Sequence, residues 1–178
     1  TRNGTPDIYV MNADGSHVRR LTRNSSKNIW PAWSPAGDRI AYVTSAEGRG
    51  PEIHVRWMDT GQTAMLTNLQ ESPSSIAWSP DGRFIAFAMF VPAEGPTLAT
   101  PPKKPEGAEW AEPVKVIDRL YYRADGRGYL ETGNTHIFIV PSEGGTPRQL
   151  TSGDFNHTGP LSWSPGGERF SFSSNRLD

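Results

Sequence analysis

Three copies of a Trp-Ser-Pro-x-Gly frame constrain this chain more than any other feature. They are Trp33-Ser34-Pro35-Ala36-Gly37, Trp78-Ser79-Pro80-Asp81-Gly82 and Trp163-Ser164-Pro165-Gly166-Gly167. Each leads into an arginine and an apolar-aromatic run: Arg39-Ile40-Ala41-Tyr42-Val43, Arg83-Phe84-Ile85-Ala86-Phe87 and Arg169-Phe170-Ser171-Phe172. A second element recurs as Asp7-Ile8-Tyr9-Val10, Glu52-Ile53-His54-Val55 and His136-Ile137-Phe138-Ile139. Each copy stands 14 residues ahead of a Leu-Thr: Leu21-Thr22, Leu66-Thr67 and Leu150-Thr151. From that Leu to the next repeat Trp is 12, 12 and 13 residues. Trp33 and Trp78 are 45 residues apart, Trp78 and Trp163 are 85 apart, so one repeat carries about 40 extra residues.

Repetition at this period means one supersecondary unit used several times. The unit reads as four short strands, a to d. Strand a ends near the Trp, b follows the Pro-x-Gly turn, c is the Ile-aromatic-Val element, and d ends at Leu-Thr. The six intervening turns each have Gly in fourth place, as in Ser79-Pro80-Asp81-Gly82 and Asn12-Ala13-Asp14-Gly15. Pro presets the second position of such a turn, and Gly accepts the left-handed backbone that closes it. The c–d turns of the later units read as Met58-Asp59-Thr60-Gly61 and Ser142-Glu143-Gly144-Gly145. No stretch free of Gly and Pro holds a helical apolar period. The expected fold is all-β: a propeller of four-stranded antiparallel blades.

The boundaries predicted are a half blade over 1–22, a blade over 30–67, a blade over 76–151 with an insertion at 90–135, and a half blade over 161–178. About three blade equivalents are expected. Propellers close with about four to eight, so the chain reads as an incomplete propeller and a fragment of a longer one. The alternative is a homo-oligomer in which two copies close a six-bladed ring.

These residues resemble the TolB-type, WD-like propeller repeat. The Trp-Ser-Pro-Asp-Gly-Arg-x-Ile-Ala-Phe run, the Ile-Tyr-Val hairpin and the Leu-Thr carry the likeness. The insertion narrows it. Residues 92–113 hold six prolines and read as an extended arm. Val116-Ile117-Asp118-Arg119-Leu120-Tyr121-Tyr122-Arg123-Ala124-Asp125-Gly126-Arg127-Gly128-Tyr129-Leu130 reads as a hairpin turning at Asp125-Gly126. With the flanking His136-Ile137-Phe138-Ile139-Val140, this hairpin resembles the N-terminal propeller of the prolyl oligopeptidase family, nearest its acylaminoacyl-peptidase and dipeptidyl-peptidase-like members. That resemblance implies a non-catalytic propeller gating and selecting short peptide substrates for a C-terminal α/β-hydrolase domain. The parent would then be a serine peptidase. The alternatives are a TolB-like periplasmic protein-binding scaffold, or the propeller of another hydrolase such as an amidohydrolase.

Catalysis by this segment itself is not expected. No Ser has Gly at both −2 and +2, the nucleophile-elbow spacing. There is no cysteine, so no thiol chemistry or disulfide. The four His show no metal-ligand spacing, and no cofactor or metal is expected. A formal net charge of −1 without basic clusters points away from nucleic acid. No apolar run is long enough to span a membrane, and a bacterial cytoplasmic or periplasmic setting is expected. Trp33, Trp78 and Trp163 read as structural anchors between blades. The substrate- or partner-facing candidates lie in the insertion: Arg119, Tyr121, Tyr122, Arg123, Arg127, Tyr129 and Trp110. Guanidinium groups grip carboxylates, and tyrosines combine apolar surface with a hydroxyl. The competing reading is a hairpin with outward charges and inward rings.

Overall fold

In the computed structural model of this chain, residues 4–45, 49–95, 103–107, 109, 116–117, 120, 122–126 and 128–176 are described. They fall into two compact units, one formed by 1–91 with 134–178, the other by 92–133. Every regular element among them is a strand.

The first unit holds four antiparallel sheets. A two-stranded sheet joins β1 (Tyr9–Val10) to β2 (Arg19–Arg20). A four-stranded sheet follows in the order β3 (Ile29–Trp33), β4 (Arg39–Ser45), β5 (Pro51–Trp57), β6 (Thr63–Met65). The next contains β7 (Pro73–Trp78), β8 (Phe84–Pro92), β11 (Gly133–Pro141) and β12 (Arg148–Gln149), again as consecutive neighbours. A last pair joins β13 (His157–Trp163) to β14 (Phe170–Ser174). This is an all-β, unclosed set of antiparallel sheets, as a partial propeller should be. The second unit contains the hairpin β9 (Arg123–Ala124) with β10 (Gly128–Tyr129).

The period-2 alternation of the strands decides where the cores lie. Ile40 and Tyr42 face one way and pack with Ile8 and Leu21. Ala41, Ile53 and Val55 face the other way and meet Trp78, Ile85, Phe87, Phe138 and Val140. Ala86, Ala88 and Ile137 carry the third core, with Leu161. Each core is thus a layer between neighbouring blades, the sheet-on-sheet solution to burying two apolar faces.

The turns follow the sequence pattern with two corrections. Gly37, Gly82 and Gly167 each donate to the Ser three residues back, at 2.9 Å, with φ between +71° and +74°. The c–d turns differ from the expected frames. The second closes over five residues, Gly61 N to Trp57 O, and the third is Pro141–Gly144, one residue earlier than its spelling suggests. The strand-b alignment also shifts. Trp33 pairs with Ile40, Trp78 with Ile85 and Trp163 with Phe170. The structural equivalent of Arg39 is therefore Phe84, not Arg83, because the turn geometry counts residues and takes no notice of side-chain type.

Candidate functional site

The predicted site residues are divided by what is described. Trp110, Arg119, Tyr121 and Arg127 lie outside the described residues. Tyr122, Arg123 and Tyr129 are brought together on the hairpin of the second unit. Tyr129 sits directly opposite Arg123, and Leu130 N donates to Tyr122 O at 2.8 Å. Gly126 and Gly128 take φ of +77°, letting the chain reverse within three residues. The Tyr122 and Tyr129 rings lie 6.1 Å apart, nearly parallel at 30°. They are 42% and 52% exposed, so the expectation of inward rings does not hold for this pair. Two exposed rings beside a guanidinium offer an apolar shelf with a cationic, hydrogen-bonding edge.

In the first unit the repeated side chains have structural work. Trp78 Nε1 donates to Ala32 O at 3.1 Å, and Trp163 Nε1 donates to Ala77 O at 3.2 Å. Each indole therefore pins its blade to the strand a of the preceding one. Arg39 lies over the Trp78 ring at 5.1 Å and pairs with Glu143 at 2.8 Å, so it spans the same blade junction. The repeated Ser accepts a backbone hydrogen bond across its turn, from Arg39 N at 3.0 Å, Phe84 N at 2.9 Å and Arg169 N at 3.2 Å. These hydroxyls hold turns.

The 14-residue spacing has a physical cause. Thr22, Thr67 and Thr151 accept from the amides of Ile8, Ile53 and Ile137 at 2.9, 3.0 and 2.9 Å. Thr22 then donates to Asp7 at 2.7 Å and Thr67 to Glu52 at 2.6 Å, while Asp7 also pairs with Arg20. In the third copy His136 stands at the acid's place, 3.4 Å from the Thr151 hydroxyl. Burial pushes the His136 imidazole below the usual histidine value, and the neighbouring His157, 5.4 Å away ring to ring, pushes it the same way. Burial also lowers His54, against a smaller opposing pull from Glu52. Asp154 accepts from Asn134 Nδ2 at 2.8 Å.

Sequence reasoning missed two grooves. One of about 590 Å³ is lined by Asp7, Ile8, Tyr9, Lys27, Asn28, Ile29, Trp30 and Pro31. Trp30 sits there at φ +56° inside a bulge of β3, an uncommon backbone state for a bulky residue. The other, about 350 Å³, includes Thr151, His157, Phe172 and Arg176. Trp30 stands outside the sequence repeat, so the first groove leaves no pattern there; the second is lined partly by repeat residues, Thr151 and Phe172. Among the described residues, no three His, Asp or Glu side chains converge as a metal site would need. No helix among them is long and apolar enough to cross a membrane.

Comparison with known proteins places this geometry. The TolB beta propeller domain matches residues 1–95. The Tol-Pal system protein TolB of Desulfosudis oleivorans is 42% identical over 55 residues, 31% of this chain and 12% of that protein. An uncharacterized peptidase of Bacillus subtilis, YuxL, is 29% identical over 171 residues, 96% of this chain and 25% of that protein. The structure of a putative TolB from Agrobacterium tumefaciens superposes with a TM-score of 0.65 at 20% identity, over 99% of this chain and 50% of that one. The chain thus spans an eighth to a quarter of the length of these two curated relatives.

Proposed function

Because the chain belongs to the TolB beta propeller domain family, we propose that it is a non-catalytic propeller segment that binds polypeptide, as a TolB-like scaffold. The observation that carries this reading is the exposed Tyr122–Arg123–Tyr129 surface. It suits an extended peptide: the rings cover apolar side chains, and Arg123 meets a carboxylate. The recurring Trp, Ser and Thr side chains of the blades hold blade junctions, turns and strand amides. Arg119, Tyr121, Arg127 and Trp110 are assigned to the same surface as a proposal. The test is calorimetric titration of the chain with a mixed library of short peptides, once with free and once with amidated C-termini. Binding that weakens about tenfold or more on amidation, and again on Arg123→Ala, supports the reading. Equal binding of both libraries by the parent and the variant overturns the carboxylate role, and no binding at all overturns the scaffold.

A second reading is favoured by one observation. The alignment to the Bacillus peptidase runs through the insertion, whereas the Desulfosudis TolB alignment covers less than a third of the chain. On this reading the propeller gates short peptides for a C-terminal α/β-hydrolase domain of a serine peptidase. A Gly-x-Ser-x-Gly motif with downstream Asp and His in the parent gene is then expected. In such a parent, Arg119→Ala and Arg123→Ala should lower kcat/KM; unchanged values for both sink the substrate-contact role.

A further inference from the structure

Three positions of the repeat meet where strands c and d of one blade touch the start of strand a in the next. They are the strand-c residue at the acid's place, the Thr 15 residues on, and the residue six beyond that Thr. The copies read Asp7, Thr22 and Asn28; Glu52, Thr67 and Pro73; and His136, Thr151 and His157. In the first, Asn28 Nδ2 donates to Asp7 Oδ1 at 3.3 Å, beside the bond from Thr22. In the second, Glu52 accepts from Thr67 and from Leu69 N, with Pro73 buried. In the third, two imidazoles stand where the others have a carboxylate.

His136 on β11 and His157 on β13 are 5% and 2% exposed, and their rings are 5.4 Å apart across the seam between two sheets. His157 Nδ1 is buried and has no hydrogen-bond partner among the described residues. His136 Nδ1 stands 3.4 Å from the Thr151 hydroxyl. Two neutral rings suit such a place. An imidazolium brings two N–H donors and a charge, and burying a charge without a partner is costly. β7, β8, β11, β13 and β14 carry no other charged side chain. Around them, Arg148 of β12 is exposed opposite Ile139, Asp154 accepts from Asn134 Nδ2, and the Arg176 guanidinium lies over Phe155 at 5.3 Å. Two of these three charges are cationic, so they add to the cost of a second cation.

We propose that the His136–His157 pair is a proton-operated latch: in mild acid the seam between the β7–β8–β11–β12 sheet and the β13–β14 pair opens, while the seam between the two four-stranded sheets stays closed. Histidine is the side chain whose ordinary titration falls between about pH 5 and 8. One proton places a charge in a buried site, and a second sets like charges against each other across the seam. Burial and the neighbouring His157 already disfavour charge on His136. The sister seam packs Ala41, Ile53 and Val55 against Trp78, Ile85, Phe87, Phe138 and Val140. Its nearest histidine in sequence, His54, points to the opposite face of β5 and meets Tyr42. At the latched seam, the bond from Thr135 N to Asn156 Oδ1, at 2.9 Å, crosses beside the two rings. Once that end parts, β13 and β14 are left as a two-stranded pair, which is marginal by itself.

The experiment is amide hydrogen exchange of the 178-residue chain at about pH 7.5 and 5.5. It is read by mass spectrometry and corrected for the intrinsic pH dependence of exchange, with far-UV circular dichroism as a fold control. At the lower pH, exchange in β13 and β14 should rise about tenfold relative to β4 and β5. The double variant His136→Asp with His157→Asn copies the first seam's Asp7 and Asn28. It should keep the protection seen at the higher pH and lose the pH step. If it does not fold, His157→Phe keeps a ring against Phe172 and removes one charge, and should shrink the step. An equal rise in both sets of strands, no rise at the lower pH, or the full step retained in a folded variant overturns the inference.

Discussion

At the scale of single residues, Thr67 shows how this fold spends a hydroxyl. It accepts from the buried Ile53 amide and donates to Glu52, which is itself buried and also accepts from Leu69 N at 2.9 Å. Thr67→Val keeps the shape but orphans one amide and removes one donor from a buried carboxylate. A loss of about 2–3 kcal/mol in urea unfolding is expected. Thr151→Val should cost less, about 1–2 kcal/mol, because its second partner is a histidine at long range. A reversed order would remove the acid from the explanation. The bulge residues behave differently. Trp30, Ser75 and Gly159 hold the same bulge at φ +56°, +52° and +89°. Ser75→Gly should stabilise the chain by about 0.5–1 kcal/mol, as relief of left-handed strain outweighs the entropy glycine adds to the unfolded chain. Gly159→Ala should destabilise it, since the new Cβ would stand 3.0 Å from Ser173 Oγ in a strained backbone. Melting temperatures of the two variants, moving in opposite directions, check both statements.

At the scale of elements, the blade junction is a hydrogen bond wrapped in apolar surface. Trp78→Phe removes the bond to Ala32 O and shrinks the ring under Arg39, and should cost about 1–2 kcal/mol by denaturant titration. Much of this architecture was readable in advance. The a–b turns announce themselves because only Pro and Gly satisfy their two constrained positions. The c–d turns were legible in place but not in frame: Trp57 and Pro141 end strands β5 and β11, and their carbonyls close the turns. The bulge in strand a was invisible, because Trp30 and Ser75 are not residues that advertise positive φ. It explains the odd spacing of the third repeat, where the extra residue between Leu150 and Trp163 is absorbed between Thr158 and Ser162. The candidate site was legible only as composition. Pattern gave a hairpin with Tyr and Arg, but the outward aim of the Tyr122 and Tyr129 rings depends on packing that no local rule encodes.

At the scale of the molecule, two titrations and one connection govern behaviour. His54 and His136 both sit below their ordinary value when folded. The unfolded chain therefore takes up protons first as pH falls through about 6.5. Stability is full above that value and is lost as pH drops toward the folded-state values. Melting temperature should fall between pH 7.5 and 5.5, with a shallower slope in His136→Gln; an unchanged melting temperature across that range removes these histidines from the account. The connection is the one between β8 and β11. The second blade joins its strands b and c through five residues, 46–50, and the third through forty, 93–132. An eightfold longer closure costs about 1.8 kcal/mol more chain entropy. The third blade's halves, β7–β8 and β11–β12, can each form early as local hairpins, but their union waits on that closure. The polypeptide should therefore populate, on refolding, a species with one blade complete and the other still split. Replacing residues 93–132 with a five-residue turn should make that species vanish from the kinetics.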